Sequence, residues 1–139
     1  MAVARYLADK SVWARLTKPA VRAAAASRVD RGLVGTCPII DLELLYSTRT
    51  GNEHDHFRAQ RAAFEYFPMT DEIAQRAVEV QGLLAQRAQR RSVSIPDLLI
   101  AATAERYELT VLHYDGDYDL IAALTGQAAE WIVPPGTAD

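Results

Sequence analysis

Residues 94–124, SIPDLLIAATAERYELTVLHYDGDYDLIAAL, decide the fold. Ser94-Ile95-Pro96-Asp97 opens a helix, because Ser94 and Asp97 have capping-box spacing and a proline is tolerated in a first turn. That helix ends near Glu108. Thr110 to Tyr114 is a short apolar and β-branched run bounded by charge, which reads as a strand, and Asp117 to Leu124 is helical again. Strands alternating with helices imply a parallel sheet with helical layers.

The same alternation extends toward the N-terminus. A strand is expected near residues 4–8, a helix from about Ser11 to Leu16, and a second helix from Pro19 to about Asp30, with Gly32 just beyond its end. Leu33 to Cys37 reads as a strand. Pro38 leads into an apolar helix carrying Glu43, Thr50-Gly51-Asn52 ends it in a polar loop, and helix resumes from about Asp55 to Tyr66. Thr70 caps a long helix with Asp71 and Glu72 in its first turn and an apolar stripe of Ile73, Ala77, Val80, Leu83 and Leu84; it should run to about Arg90. Trp131-Ile132-Val133 is the last strand, and residues 134–139 form a tail expected to fray.

The chain has 139 residues, half of them hydrophobic, which suffices for one sizeable core and not for two. A single domain over 1–139 is expected. Fifteen basic against eighteen acidic side chains give a net charge of −3, which excludes the basic blanket of a non-specific nucleic-acid binder. Any contact with nucleic acid must be local and metal-assisted. The one cysteine, Cys37, has no intrachain disulfide partner and reads as a small hydrophobe. Charges interrupt the N-terminus before a signal core develops, and no segment approaches the ~20 apolar residues of a membrane span. A reducing cytoplasm fits these features.

Four acids stand where solubility alone would not put them. Asp9 and Asp115 each follow a strand, at the edge of a parallel sheet where ligands collect. Each also has a local reading, Asp9 or Ser11 as the cap of the first helix and Asp115-Gly116-Asp117 as a turn. Glu43 has Ile39, Ile40, Tyr46 and Ser47 three and four residues away, a mostly buried face where an ionised carboxylate is costly unless paired or bound. Asp97 serves a capping box and can still face the strand edge. Two carboxylates about 4 Å apart repel by roughly 4 kcal/mol at an effective dielectric near 20, a conflict that a divalent cation removes. Oxygen ligands select Mg²⁺ or Mn²⁺ over Zn²⁺.

Four segments in order resemble the motifs of PIN-domain nucleases: Tyr6-Leu7-Ala8-Asp9-Lys10-Ser11-Val12-Trp13, Leu42-Glu43-Leu44-Leu45, Ser94 to Ala102, and Val111 to Ala122. The resemblance spans essentially the whole chain and, within that group, is to the VapC toxins of toxin–antitoxin pairs. It implies a three-layer α/β/α fold with a central, mostly parallel sheet. It further implies a Mg²⁺- or Mn²⁺-dependent endoribonuclease acting on structured RNA such as tRNA or rRNA, homodimeric and silenced by a VapB-type antitoxin. Asp9, Glu43, Asp97 and Asp115 carry over as catalytic, metal-binding acids, with Asp117 a fifth acting through water. Ser11 falls where the family places a hydroxyl beside the site. Lys10 departs from the family, which commonly has threonine there; it is expected to face the pocket mouth and supply phosphate affinity.

Other groups have competing readings. Arg76, Arg87, Arg90 and Arg91 guide RNA phosphates or form a solvated helix face. His54-Asp55-His56 has metal-ligand chemistry but sits in a polar stretch, and His113 belongs to the core or supports the site. Trp13, Tyr46, Tyr66 and Trp131 stack on bases or pack, and Phe57, Phe64 and Phe67 form a groove for an antitoxin helix or a second subunit. Two rival functions are a catalytically silent binding module of the same fold and an aspartate-based phosphotransfer enzyme using Asp9. The latter usually has a second acid where this chain has Ser11.

Overall fold

The structure is a computed structural model and describes residues 3–87 and 93–139. Twelve elements follow one another among these residues: β1 (Tyr6–Ala8), α1 (Lys10–Trp13), α2 (Pro19–Asp30), β2 (Val34–Thr36), α3 (Pro38–Leu45), α4 (Gly51–Arg61), β3 (Glu65–Tyr66), α5 (Asp71–Gln86), α6 (Ile95–Tyr107), β4 (Thr110–His113), α7 (Asp117–Thr125) and β5 (Ala129–Trp131). The five strands form one sheet in the order β3-β2-β1-β4-β5, and every pairing is parallel. The expected mostly parallel sheet is therefore parallel throughout.

Alternation along the central strands builds two cores. Leu7 and Val111 face a layer made by α3, α5, α6 and α7, with Ile40, Ile73, Ile100 and Ile121 at its centre. Ala8 and Leu112, one residue further on, face the opposite layer, where Val12, Val21 and Ala25 of α1 and α2 pack. A period of two thus sends adjacent side chains to opposite faces, and the sheet is covered on both.

Several boundaries differ from expectation for identifiable reasons. Helix α4 starts at Gly51 rather than near Asp55, because the Thr50 hydroxyl accepts from Glu53 N at 3.1 Å and caps it there. It ends at Arg61, and the residues expected to continue it include β3, an exposed two-residue edge strand on β2. Gly35 of β2 lets this edge come close: a Cβ there would stand 2.5 Å from Phe67 Cε2. Helix α5 is described to Gln86, and Arg90 and Arg91 lie outside the described residues. The last strand lies at Ala129–Trp131 rather than 131–133.

The tail left loose by the sequence is held in place. Ala138 is buried and its N–H donates to the Tyr114 hydroxyl, which donates to Asp139. Arg15 donates to Ala138 O and lies over the Tyr114 ring. Among the described residues no helix is long and apolar enough to cross a membrane.

Candidate active site

The sheet order places the site. β2 and β3 lie on one side of β1, β4 and β5 on the other, so the carboxyl ends of β1 and β4 flank the point where the order reverses. Asp9 leaves β1 there, with its N–H on Leu112 O of β4. Its Oδ2 accepts from Ser11 N at 2.9 Å, so the cap reading of Asp9 holds beside any other role. Its Oδ1 accepts from the Tyr118 hydroxyl at 2.8 Å.

Asp97 arrives from a different element. Ser94 caps α6 by accepting from Asp97 N at 3.3 Å, which fixes the first turn and directs the Asp97 carboxyl inward, where it is buried. Its Oδ1 lies 3.2 Å from the same Tyr118 hydroxyl. Asp115 follows β4; its N–H donates to His113 Nδ1 at 3.1 Å, and its Oδ1 accepts from Asp117 N at 2.9 Å in a turn that starts α7. Carboxylate oxygens of Asp97, Asp115 and Asp117 all lie within 4.8 Å of one another.

The other expected residues fall around this group. Glu43 stands apart from it, half-buried on α3, with Lys10 Nζ 3.5 Å from its Oε2; its Oε1 is buried without a hydrogen-bond donor among the described residues. Lys10 borders three clefts beside the acids. The Ser11 hydroxyl accepts from Tyr114 N at 2.8 Å. His54 and His56 form no ligand group with other acids, histidines or cysteines among the described residues. Arg76 is committed to Glu105 and Glu79. His113 is fully buried between Tyr118 and Trp131.

Crowding perturbs these groups. Burial first, and then the negative charges of Asp9 and Asp115, push the Asp97 carboxyl up to about 8. Burial and Asp9 raise Glu43, against the pull of Lys10. Burial lowers His113 despite three nearby acids, and it holds the Tyr118 hydroxyl well above its ordinary range. Burial also pushes the Cys37 thiol up to about 11, which keeps it a packed, uncharged side chain. The chemistry of the donor set fits a hard dication: all oxygen, crowded, and with mutual repulsion that raises Asp97 and that a cation would relieve.

Two residues escaped the sequence reading. Tyr118 looks there like one more apolar position of α7, yet it touches two of the four acids. Arg61 is buried, donates to Asp41 Oδ1 at 3.1 Å and to Thr36 Oγ1 at 2.9 Å, and lies against the rings of Trp13 and Phe64. An arginine beside aromatic residues in a helix was the only signal.

The PIN domain family matches residues 6–124. The chain is 48% identical to Ribonuclease VapC51 of Mycobacterium tuberculosis over 135 residues, covering 97% of this chain and 98% of that protein. It is 45% identical to Ribonuclease VapC21 of the same species, covering 96% and 98%. Among solved structures, the DNA-bound VapBC of Salmonella typhimurium is similar in fold, with a TM-score of 0.74 at 14% identity, covering 94% of this chain and 100% of that one.

Proposed function

The chain belongs to the PIN-domain family and, within it, to the VapC ribonucleases, and from that membership we propose that it is an endoribonuclease toxin of a toxin–antitoxin pair. The reading extends to a Mg²⁺- or Mn²⁺-dependent cut in structured RNA, tRNA or rRNA, made in the cytoplasm by a homodimer that a VapB-type antitoxin silences. The observation that supports it most is the convergence of Asp97, Asp115 and Asp117 within 4.8 Å, at the strand edge where Asp9 also lies.

In this reading Asp9, Glu43, Asp97 and Asp115 would be the metal-binding acids, with Asp117 acting through water; Asp97, Asp115 and Asp117 lie close enough to share one dication. The bound ion supplies positive charge for the phosphate oxygens and lowers the pKa of a water. Ser11 accepts from Tyr114 N and keeps its own hydrogen to donate to a phosphate oxygen. Lys10 gives one direction of its ammonium to Glu43 and turns the others to the substrate at the cleft mouth. His113 anchors the Asp115 backbone and keeps that carboxylate in register.

Protein partners have surfaces beside the acids. A cleft of about 710 Å³ between α1, α3 and α4 is walled by Trp13, Phe57 and Phe64, and Leu42, Tyr46 and Ile95 form an exposed apolar patch that adjoins it at Tyr46. These support contacts with an antitoxin and a second copy of the chain.

The test is cleavage of tRNA and rRNA with Mg²⁺ or Mn²⁺, with and without chelator, in the parent and in Asp9→Asn and Asp97→Asn. Both substitutions are expected to lower the rate at least a hundredfold (about 10²–10³ for one electrostatic group), and chelator is expected to abolish cleavage. Undiminished cutting by either variant would overturn the proposal.

A further inference from the structure

We propose that Tyr118 is a positioning residue of the acid cluster: its buried hydroxyl braces Asp9 and Asp97 and fixes which of their oxygens face the cleft. The inference rests on the ribonuclease reading for its consequence, though not for its geometry.

The brace joins three elements distant in sequence. Asp9 ends β1, Asp97 opens α6 and Tyr118 lies in the first turn of α7, with the hydroxyl 2.8 Å from Asp9 Oδ1 and 3.2 Å from Asp97 Oδ1. Tyr118 is 1% exposed, so water cannot replace the contact without a cavity opening. Its ring is held by His113 at 4.9 Å and by the core around Ile121. A phenol needs a hydrogen-bond partner when buried, and packing alone would have been served by phenylalanine.

The hydroxyl contacts one oxygen of each acid. Asp9 Oδ2 is held by Ser11 N and its Oδ1 by Tyr118, so both Asp9 oxygens have fixed donors. Asp97 Oδ1 is turned to Tyr118, which leaves Asp97 Oδ2 as the oxygen not bound by the brace. The hydroxyl has a single hydrogen, which the shorter contact gives to Asp9 Oδ1, and the 3.2 Å contact with Asp97 Oδ1 is the weaker arm of the brace, set between two carboxyl groups that would otherwise repel across the same space. Groups that orient metal ligands typically contribute about 10–100-fold to metal affinity.

The test is Tyr118→Phe, which keeps the ring and removes the hydroxyl. In the ion-free protein, ¹³C carboxyl signals of Asp9 and Asp97 are expected to shift while those of surface acids stay put. Unchanged signals overturn the brace whatever the protein's activity. Mn²⁺ uptake, read from the free-ion electron paramagnetic resonance signal, is expected to weaken about 10–100-fold, with KM for RNA within about twofold at saturating Mn²⁺. Equal Mn²⁺ affinity in parent and variant overturns the proposal, as does a raised KM with affinity unchanged, which would make the hydroxyl a substrate contact. No Mn²⁺ uptake by the parent sinks the ribonuclease reading instead, and the ion-free carboxyl signals still decide the brace. Should the Phe variant not fold, 3-fluorotyrosine at position 118 serves: a stronger donor moves the same signals, and no movement overturns the claim.

Discussion

Asp97 carries the cost of the site in the ion-free protein. Its carboxyl sits at about 8 folded against an ordinary 3.8, so between those values the folded chain binds a proton that the unfolded chain has released. Stability is then full below the lower value and falls as pH rises toward the upper one. Thermal melts without dication should show Tm dropping between pH 7 and 8, above the ordinary histidine value of 6.5 around which His113, held low by burial, opposes the slope. Asp97→Asn should flatten that slope and melt a few degrees above the parent at pH 8, with Mg²⁺ stabilising the parent more at pH 8 than at pH 6.5. A parent melt that stays level over this range contradicts the shift. Arg61 is the opposite case, a buried charge with partners supplied. Arg61→Ala leaves Asp41 with the Thr36 hydroxyl but no cation and removes two ring contacts, and should cost about 3 kcal/mol in urea unfolding. A loss under about 1 kcal/mol would show that water already shares that site. The acids themselves were legible in the sequence because an ionisable group in an apolar run announces a cost. Tyr118 and Arg61 were not, since only three-dimensional neighbours distinguish them from an ordinary aromatic and an ordinary surface arginine.

Helix caps separate stability from chemistry at the next scale. Thr70 caps α5 and Ser94 caps α6 in the same way, each hydroxyl accepting from a first-turn N–H at 3.3 Å. Replacing either by alanine should cost about 1 kcal/mol. Only Ser94→Ala should slow RNA cleavage, by several-fold, because the N–H it releases belongs to Asp97; Thr70→Ala should cut at the parental rate. Equal cleavage by the two variants would show that the α6 turn holds Asp97 without its cap. Such caps are also why the sequence located α5 and α6 to within a residue at their starts: Thr70-Asp71-Glu72 and Ser94-Ile95-Pro96-Asp97 satisfy local donors with local side chains. The misses lie where distant contacts rule. β3 is two exposed residues, Glu65 and Tyr66, whose strand character comes only from pairing with Gly35 and Thr36. Thr50 was read as ending a helix when it begins the next, because Thr, Gly and Asn serve a loop and an N-terminus equally well. Residues 134–139 gave no sign that Tyr114 and Arg15 would hold them.

The whole molecule approaches RNA with a net negative charge. Its charge is −3, and Lys10, Arg28, Arg61, Arg76 and Arg106 are each already paired with an acid. Parallel topology gathers Asp9, Asp97, Asp115 and Asp117 at the junction of β1 and β4, so on the proposed mechanism the cleft would repel phosphate until a dication bound there. Affinity for RNA should therefore depend steeply on Mg²⁺ and weakly on monovalent salt. A protein neutralising six to ten phosphates loses about 10³–10⁵ in affinity between about 50 and 200 mM salt. Here filter binding of RNA to the Asp9→Asn protein, which should bind without cutting, is expected to lose less than about tenfold over that range at constant Mg²⁺, since among the described residues Lys10, Arg15 and Arg61 are the basic side chains that line the clefts beside the acids. Withdrawing Mg²⁺ at fixed ionic strength should weaken binding further than all of that added salt. A steep salt slope with indifference to Mg²⁺ would mean that scattered basic side chains, and not the acid cleft, bring the substrate in.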